Sequence, residues 1–272
     1  MVGTAPPETQ RSASSPSTEA ALEVRALSVA ADDPFGVSLL DVSFSVAGGE
    51  ILGIAGISGN GQTELVQLLS GEKSAPEDGM IRIGGGLAGR MSAAARRNLG
   101  LAFVPEERLG RGAVPSHNLG ENGLLTAHRK GLVSRGFVIR QDMRQFALGV
   151  IDRFGVKTGR GPASTAQSLS GGNLQKFIVG REIGLNPKIL LVSQPTWGVD
   201  VGASAFIRQT LVDLSRAGAA VIAISEDLDE LMEISDRVVV MSGGMISESL
   251  PIKEARKERI GELMVAHAAR TA

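Results

Sequence analysis

Residues 53–71 read GIAGISGNGQTELVQLLSG, an apolar strand end running through glycines into a helix. Gly56, Gly61 and Thr63 hold the places of the loop G-x-x-x-x-G-K-[ST], whose backbone N–H groups cradle phosphates and whose lysine meets the terminal ones. Here the lysine position is Gln62. A strand, a glycine loop and a helix together gather N–H groups at a helix N-terminus, where unpaired donors and the dipole stabilise an anion. The Thr63 hydroxyl is suited to Mg2+. The competing reading is a tight strand-to-helix turn that needs glycine for steric reasons alone, and the loop by itself does not choose between them.

The surroundings extend the pattern. EILGIAGI is a nearly unbroken apolar run, as expected of a central strand covered on both faces. TELVQLLSG then sets Leu65, Leu68 and Leu69 on one helical face, with Gly71 placed to close the helix. LEVRAL and DVSFSV alternate as half-buried antiparallel strands do. MIRIGG reads as a short edge strand and turn, and LGLAFVP as another buried strand. Residues 106–185 change character: IRQDMRQFALGVIDRFGV carries helical spacing through Phe146, Val150, Ile151 and Phe154, which indicates a helical insertion. KILLVSQP and AAVIAISED return as buried strands joined by an amphipathic helix near 203–216, and RVVVMSGGMISES closes as a hairpin around Ser242, Gly243 and Gly244. No internal repeat is present. The expected architecture is an α/β core with a small antiparallel sheet and an inserted helical lobe. Residues 1–20, rich in Pro, Ser, Thr and Ala, read as a disordered tail or linker ahead of a domain spanning 21–272.

Composition removes several function classes. A net charge of −1 gives no case for general nucleic-acid binding, and aromatics at 3% with no tyrosine offer no stacking platform. The absence of cysteine excludes disulfides, thiol nucleophiles and thiolate metal sites. His117, His128 and His267 are scattered and suggest no metal cluster. No apolar run approaches the roughly 18 residues of a membrane span. The N-terminus lacks the order of a signal peptide, so a soluble, cytoplasmic domain is expected.

A second motif narrows the reading. In SLSGGNLQKFIVGREIG, residues 168–184, Ser170, Gly171 and Gly172 stand where a helix begins, with Asn173 and Gln175 close behind. A serine hydroxyl and glycine amides at a helix start form an anion cradle; an ordinary serine cap is the bland alternative. The combination and order are specific: glycine loop, helical insertion, L-S-G-G, buried strand ending Q-P-T, then G-V-D. From residue 22 onward the sequence resembles the nucleotide-binding domains of ABC transporters. The resemblance implies a P-loop NTPase (RecA-like) core with an antiparallel β subdomain and an inserted α-helical subdomain. GISGNGQTEL, VPEERLGRG, LSGGNLQK and QPTWGVDVGA look most like the second domain of tandem ATPases serving sugar and nucleoside importers, and GRGAVP with QPTWGVDVGASAFIRQTL leans towards the nucleoside side.

The resemblance assigns roles position by position. ATP and Mg2+ are the implied ligands, with Gly56, Ser58, Gly59, Asn60, Gly61, Gln62, Thr63 and Glu64 forming the nucleotide loop and Thr63 the weak Mg2+ ligand. Ser193 stands at the Walker B aspartate, Gln194 at the catalytic glutamate, Glu106 at the Q-loop glutamine and Glu226 at the switch histidine. The adenine-stacking aromatic expected near residues 29–31 is absent; Phe35 is the nearby substitute, more in keeping with packing. Glu226 has a bland alternative as the cap of the helix that follows. The implied site thus lacks a cation, a metal partner, a base and a γ-phosphate sensor, whereas Ser170, Gly171, Gly172 and Asn173 keep the signature that acts on a partner's ATP. Asp200, in the D-loop, would lie at that interface.

The implied partners are a second ABC ATPase domain with intact Walker motifs, permease membrane subunits, and indirectly a substrate-binding protein, with no nucleic acid. The permease contact falls on Glu106, Glu107, Arg108 and the helix near Glu121, for which a solvated loop is the bland reading. The implied location is peripheral, on the cytoplasmic face of the cell membrane. The chain is either a separately encoded half or a piece of a tandem ATPase. A ribose-type importer component and a regulatory, non-transport ABC-fold protein are the alternatives.

Overall fold

The structure is a computed structural model and describes residue 9 and residues 16–32 and 34–266. Most of the stretch read as a tail or linker therefore lies outside the described residues, as does His267, while the first strand already begins at Ala20. The described residues fall into two compact units: Val104–Pro187 with Pro195–Ile207, and the remainder.

The larger unit starts with β1 (Ala20–Val29) and β2 (Leu39–Ala47), which pair antiparallel. Their alternating burial puts Leu22, Val24, Val42, Phe44 and Val46 inside. β3 (Ile51–Ala55), the strand feeding the glycine loop, is buried at every residue, and α1 (Gln62–Ser70) follows it. Leu65, Leu68 and Leu69 face the core, and Gly71 ends α1 in the left-handed conformation. Next come β4 (Ile81–Ile83), β5 (Gly86–Leu87), α2 (Ala93–Asn98) and β6 (Leu101–Val104). The antiparallel sheet runs β2-β1-β4-β5. The strand in MIRIGG is thus an inner strand, because two further residues turn back past Gly84 and Gly85 to make β5 the edge.

In the smaller unit α3 (Leu119–Ala127) leads to a hairpin of β7 (Val133–Ser134) and β8 (Phe137–Val138), then α4 (Arg140–Arg153) and α5 (Gly171–Ile183). Asn118 and Glu121 form a reciprocal capping box at the start of α3. Asn122 is fully buried: its side-chain amide donates to the carbonyls of Val114, His117 and Asn118, and its Oδ1 accepts from Val114 N at 2.8 Å. A buried Arg181–Glu182 pair at 2.9 Å adds a bond from Arg181 to Asn122 O.

The chain returns through β9 (Ile189–Ser193), α6 (Val201–Arg216), β10 (Ala220–Ser225), α7 (Leu228–Ile234), β11 (Arg237–Ser242), β12 (Met245–Ile246), β13 (Leu250–Pro251) and α8 (Lys257–Ala266). The central sheet orders β12-β11-β3-β10-β9-β6, with β13 on β11. β11, β3, β10 and β9 run parallel, and apolar runs such as AVIAIS are buried throughout because helices cover both faces of such a sheet. The β11–β12 turn has Gly243 and Gly244 at φ 56° and 76°, as a two-residue type I′ turn requires. A Cβ on Gly244 would stand 1.9 Å from Ser38 O.

Composition gave no hint of one buried cation. Arg96 of α2 is 0% exposed; its guanidinium donates to Leu68 O and Leu69 O in the last turn of α1, to Gly89 O at 2.9 Å and to Met91 O at 3.1 Å. These bonds satisfy carbonyls that a helix end leaves open. Burial pulls the Arg96 pKa down to about 10, against the opposing charge of Asp78, so the group remains a cation at neutral pH. Replacing Arg96 by Ala should lower the unfolding free energy in urea by about 3 kcal/mol, because the buried carbonyls lose their donors. A loss under about 1 kcal/mol would show that water takes over the role.

Candidate functional site

Parallel register places the site. Ala55 of β3 pairs with Ser225 of β10, and Ile224 of β10 pairs with Ser193 of β9. Three strand ends are therefore level to within one residue, and the residues after them share the carboxyl edge of the sheet, where open α/β sheets bind ligands. The glycine loop, Ser193 with Gln194, and Glu226 meet there.

In the loop, Gly59 and Gly61 adopt φ of 80° and 105°, and Gly61 begins α1 with no side-chain cap. The Gln62 side chain turns back onto the loop: Nε2 donates to Ile57 O at 3.0 Å, and Oε1 accepts from Asn60 N at 3.2 Å. Its nitrogen would lie 2.3 Å from a Cβ at Gly56, so only glycine fits under it. Asn60 also ties the loop to the β11–β12 turn through Gly243 N→Oδ1 at 2.8 Å and Gly244 N→O at 3.0 Å. Ser58 and Thr63 are exposed. Glu64 points elsewhere, since its Oε1 accepts from Val37 N at 3.0 Å.

Ser193 ends β9 and is 8% exposed. Gln194 then takes φ 48°, a region that side-chain residues rarely adopt and that is overrepresented at functional sites. Its N–H donates to Ile224 O at 2.7 Å, and its Oε1 accepts from Glu226 N at 3.3 Å and Ser225 Oγ at 3.4 Å. Glu226 is exposed and does not cap α7: that role belongs to Asp227, whose carboxylate accepts from Asp229 N and Glu230 N. The helix starts one residue further on than its cap would need if Glu226 held it.

In the smaller unit, residues 168–187 and 195–200 have their own order. Ser170 heads α5, yet its hydroxyl makes no cap bond and accepts instead from Asn173 Nδ2 at 2.8 Å. The ordinary serine cap is therefore not what forms. Asn173 Oδ1 accepts from Lys157 N at 2.8 Å. A Cβ at Gly172 would lie 2.8 Å from Asp200 Oδ2, and Asp200 Oδ1 accepts from Ala203 N at 2.9 Å at the start of α6. Gln175 is buried and donates to Pro195 O at 2.9 Å.

Glu106 and Glu107 are exposed, whereas Arg108 is half-buried. Its guanidinium lies over two glycines: Nη1 is 2.9 Å from a Cβ at Gly171, and Nη2 is 3.4 Å from a Cβ at Gly198. Desolvation lowers its pKa. For Arg108 the solvated-loop reading is thus overturned. Sequence reasoning missed this contact, and its signal is the glycine opposite a long cation. Beside β1, a cleft of about 290 Å³ is lined by Val29, Ala30, Ala31, Asp32, Glu64 and Lys73, among others, with no aromatic ring. Phe35 is 97% exposed, which contradicts a packing role. Among the described residues no group of three or more His, Asp or Glu could hold a metal ion, and no helix is long and apolar enough to cross a membrane.

Comparison with known proteins shows the family. The model of the ABC transporter family matches residues 39–197, and the chain belongs to that family. It is 37% identical over 225 residues, 82% of its length, to the guanosine import ATP-binding protein NupO of Bacillus subtilis, covering 44% of that protein. It is 35% identical over 258 residues to the nucleoside import ATP-binding protein NupA of Lactococcus lactis, 94% of this chain and 50% of that one. A ribose import ATP-binding protein of Streptomyces avermitilis, RbsA 1, is 38% identical over 227 residues, 83% and 42% of the two chains. The chain thus spans about half the length of the curated relatives it matches. Among solved structures, the dimeric ATP-binding cassette MJ0796 bound to ADP and Pi superposes with a TM-score of 0.72 at 20% identity, over 85% of this chain and 98% of that one. That likeness shows the ABC cassette fold.

Asp227→Ala should lower stability by about 1 kcal/mol through the lost helix cap, with Glu226→Ala within about 0.5 kcal/mol of the parent. Equal losses in thermal or urea unfolding would return the cap to Glu226.

Proposed function

We propose that this chain is an ATP-binding, energy-coupling component of a nucleoside importer whose own nucleotide site is hydrolytically silent. In this reading its signature segment completes the ATP site of a partner ABC domain. One observation carries it: the edge that gathers the glycine loop, Ser193, Gln194 and Glu226 offers no lysine and no aspartate or glutamate where the family's pattern has them, and the Gln62 amide is bound to Ile57 O and Asn60 N while the Gln194 oxygen accepts from Glu226 N.

A triphosphate fits this loop in part. Gly59 and Gly61 open the backbone, and the start of α1 keeps N–H groups free of any side-chain cap. For Mg2+ the fit is poor, since Thr63 offers a hydroxyl and Ser193 no charge. ATP would bring its own charge and metal; Gln62 would have to leave Ile57 O and Asn60 N to meet it, and could offer only a neutral amide. Gln194 can orient a water and cannot take its proton at neutral pH. Losing single groups of this kind costs about 10²–10⁴ in rate, and losing several leaves almost nothing.

Ser170 and Gly172, by contrast, stand at an α5 start with no cap bond from the serine, which suits a phosphate presented by another domain. Intact Walker residues on that partner, permease subunits met through Glu106, Glu107, Arg108 and Glu121, and a peripheral place at the cytoplasmic face follow from the same reading. So does a helical subdomain over 106–185. Nucleosides are preferred to ribose-type sugars because of GRGAVP and the segment 194–211; the relatives include both.

In the assembled complex, Ser170→Arg or Gly172→Asp should abolish ATP turnover, and Gln62→Ala should leave it within about twofold. Equal loss from both sets would sink the asymmetric model. The chain alone should show no Mg-ATP turnover at any concentration; turnover rising with the square of protein concentration would mean that two copies make a working site.

A further inference from the structure

Away from the site, the surface between α3 and α4 has an unusual make-up. Residues 128–144 read HRKGLVSRGFVIRQDMR, with Arg129, Lys130, Arg135, Arg140 and Arg144 against the single carboxylate of Asp142, in a chain whose net charge is −1. All five cations are exposed. None of them takes part in an ion pair among the described residues.

Along the chain these cations flank the β7–β8 hairpin on both sides, with Arg135 in its turn. The ribbon is anchored at its base, where Ile139 N donates to Leu132 O at 2.9 Å and Leu132 is buried. Beyond the anchor its apolar side chains leave the core: Phe137 is 79% exposed, Val138 43% and Val133 37%, with Leu125 of α3 at 45%. Val133 pairs with Val138 and Ser134 with Phe137, so apolar groups stand on both faces of the ribbon. The turn between them is Arg135 and Gly136, both at positive φ. A cation therefore sits at the very tip.

Exposed apolar groups on a hairpin flanked by long cationic side chains match a bilayer interface. There the apolar groups reach the headgroup–acyl boundary, the arginine stems lie along it and the charges meet phosphates. The charge of the segment is mainly of one sign, five cations to one carboxylate, which complements an anionic headgroup layer. Single-stranded nucleic acid is disfavoured because the hairpin has one ring and no row of them.

We propose that the hairpin Val133–Val138 and its five flanking cations bind the surface of a bilayer rich in anionic phospholipid. The inference rests on the hairpin alone, so a chain that failed to complete a partner's ATP site would leave it standing.

The test is flotation of the full chain with vesicles of phosphatidylcholine alone or mixed equally with phosphatidylglycerol. Flotation is expected with the anionic vesicles only and should weaken as salt rises. A variant carrying Arg129→Gln, Lys130→Gln and Arg135→Gln should partition about a hundredfold less, each cation near a charged surface being worth about fivefold. Phe137→Ser should lower partition at least about fivefold while keeping the salt dependence. Unchanged thermal melts would show that the variants remain folded, as their exposure predicts. Equal flotation with neutral vesicles, or a triple variant that floats like the parent, would overturn the proposal. So would a failure of the parent to float with either vesicle while an acidic peptide retains it through Arg135, which would reassign the surface to a protein partner.

Discussion

The level ends of β3, β10 and β9 are the constraint on which the site depends. Their parallel pairing sets Ala55 opposite Ser225 and Ser193 opposite Ile224, within one residue of the same height, because a parallel ladder cannot slip by a residue without turning every side chain to the wrong face. These strands are buried on both sides, so a slip would carry Ile54, Leu191 or Ile222 away from their packing. The glycine loop, Gln194 and Glu226 need no direct bonds among all three to be neighbours. Core packing delivers them to the same edge.

Much of this was legible in sequence, for physical reasons that differ by element. The buried strands announced themselves as apolar runs, and the loop and α5 through glycine at ordered positions. The β11–β12 turn needed two glycines and had them. What stayed hidden was non-local. Nothing around Arg96 says that its partners are carbonyls of Leu68 and Leu69 in another helix. The assignment of β4 to an edge failed because a two-residue strand such as Gly86–Leu87 has too little pattern to detect. Asp227 rather than Glu226 caps α7 because helix phase, invisible at one-residue resolution, decides which carboxylate faces the first N–H groups. The exposure of Phe35 and the burial of Arg108 reverse what residue type alone suggests.

The glutamine in the loop illustrates how one substitution changes both charge and shape. A lysine at position 62 would bring three donors and a full charge, and could not accept from Asn60 N. Glutamine donates and accepts, so it can close a small ring with Ile57 O and Asn60 N. An incoming anion must compete with that ring for the Asn60 N–H, and gains no cation in exchange. Shape and charge thus disfavour binding together, which is why the strand-end substitutions and the loop conformation support the same reading.

The seat of Arg108 has a mechanical consequence. Its guanidinium rests over Gly171 and Gly198, and Gln175, about one turn into α5, donates to Pro195 O. The start of α5 and the turn 196–200 are therefore braced at two points, one by a flat cation wedged where side chains are missing and one by a buried amide. A displacement of the segment carrying Arg108 would reach both glycine turns at once, because one guanidinium packs against each of them. The two turns are thereby linked through one side chain, and the residues just ahead of it, Glu106 and Glu107, are exposed.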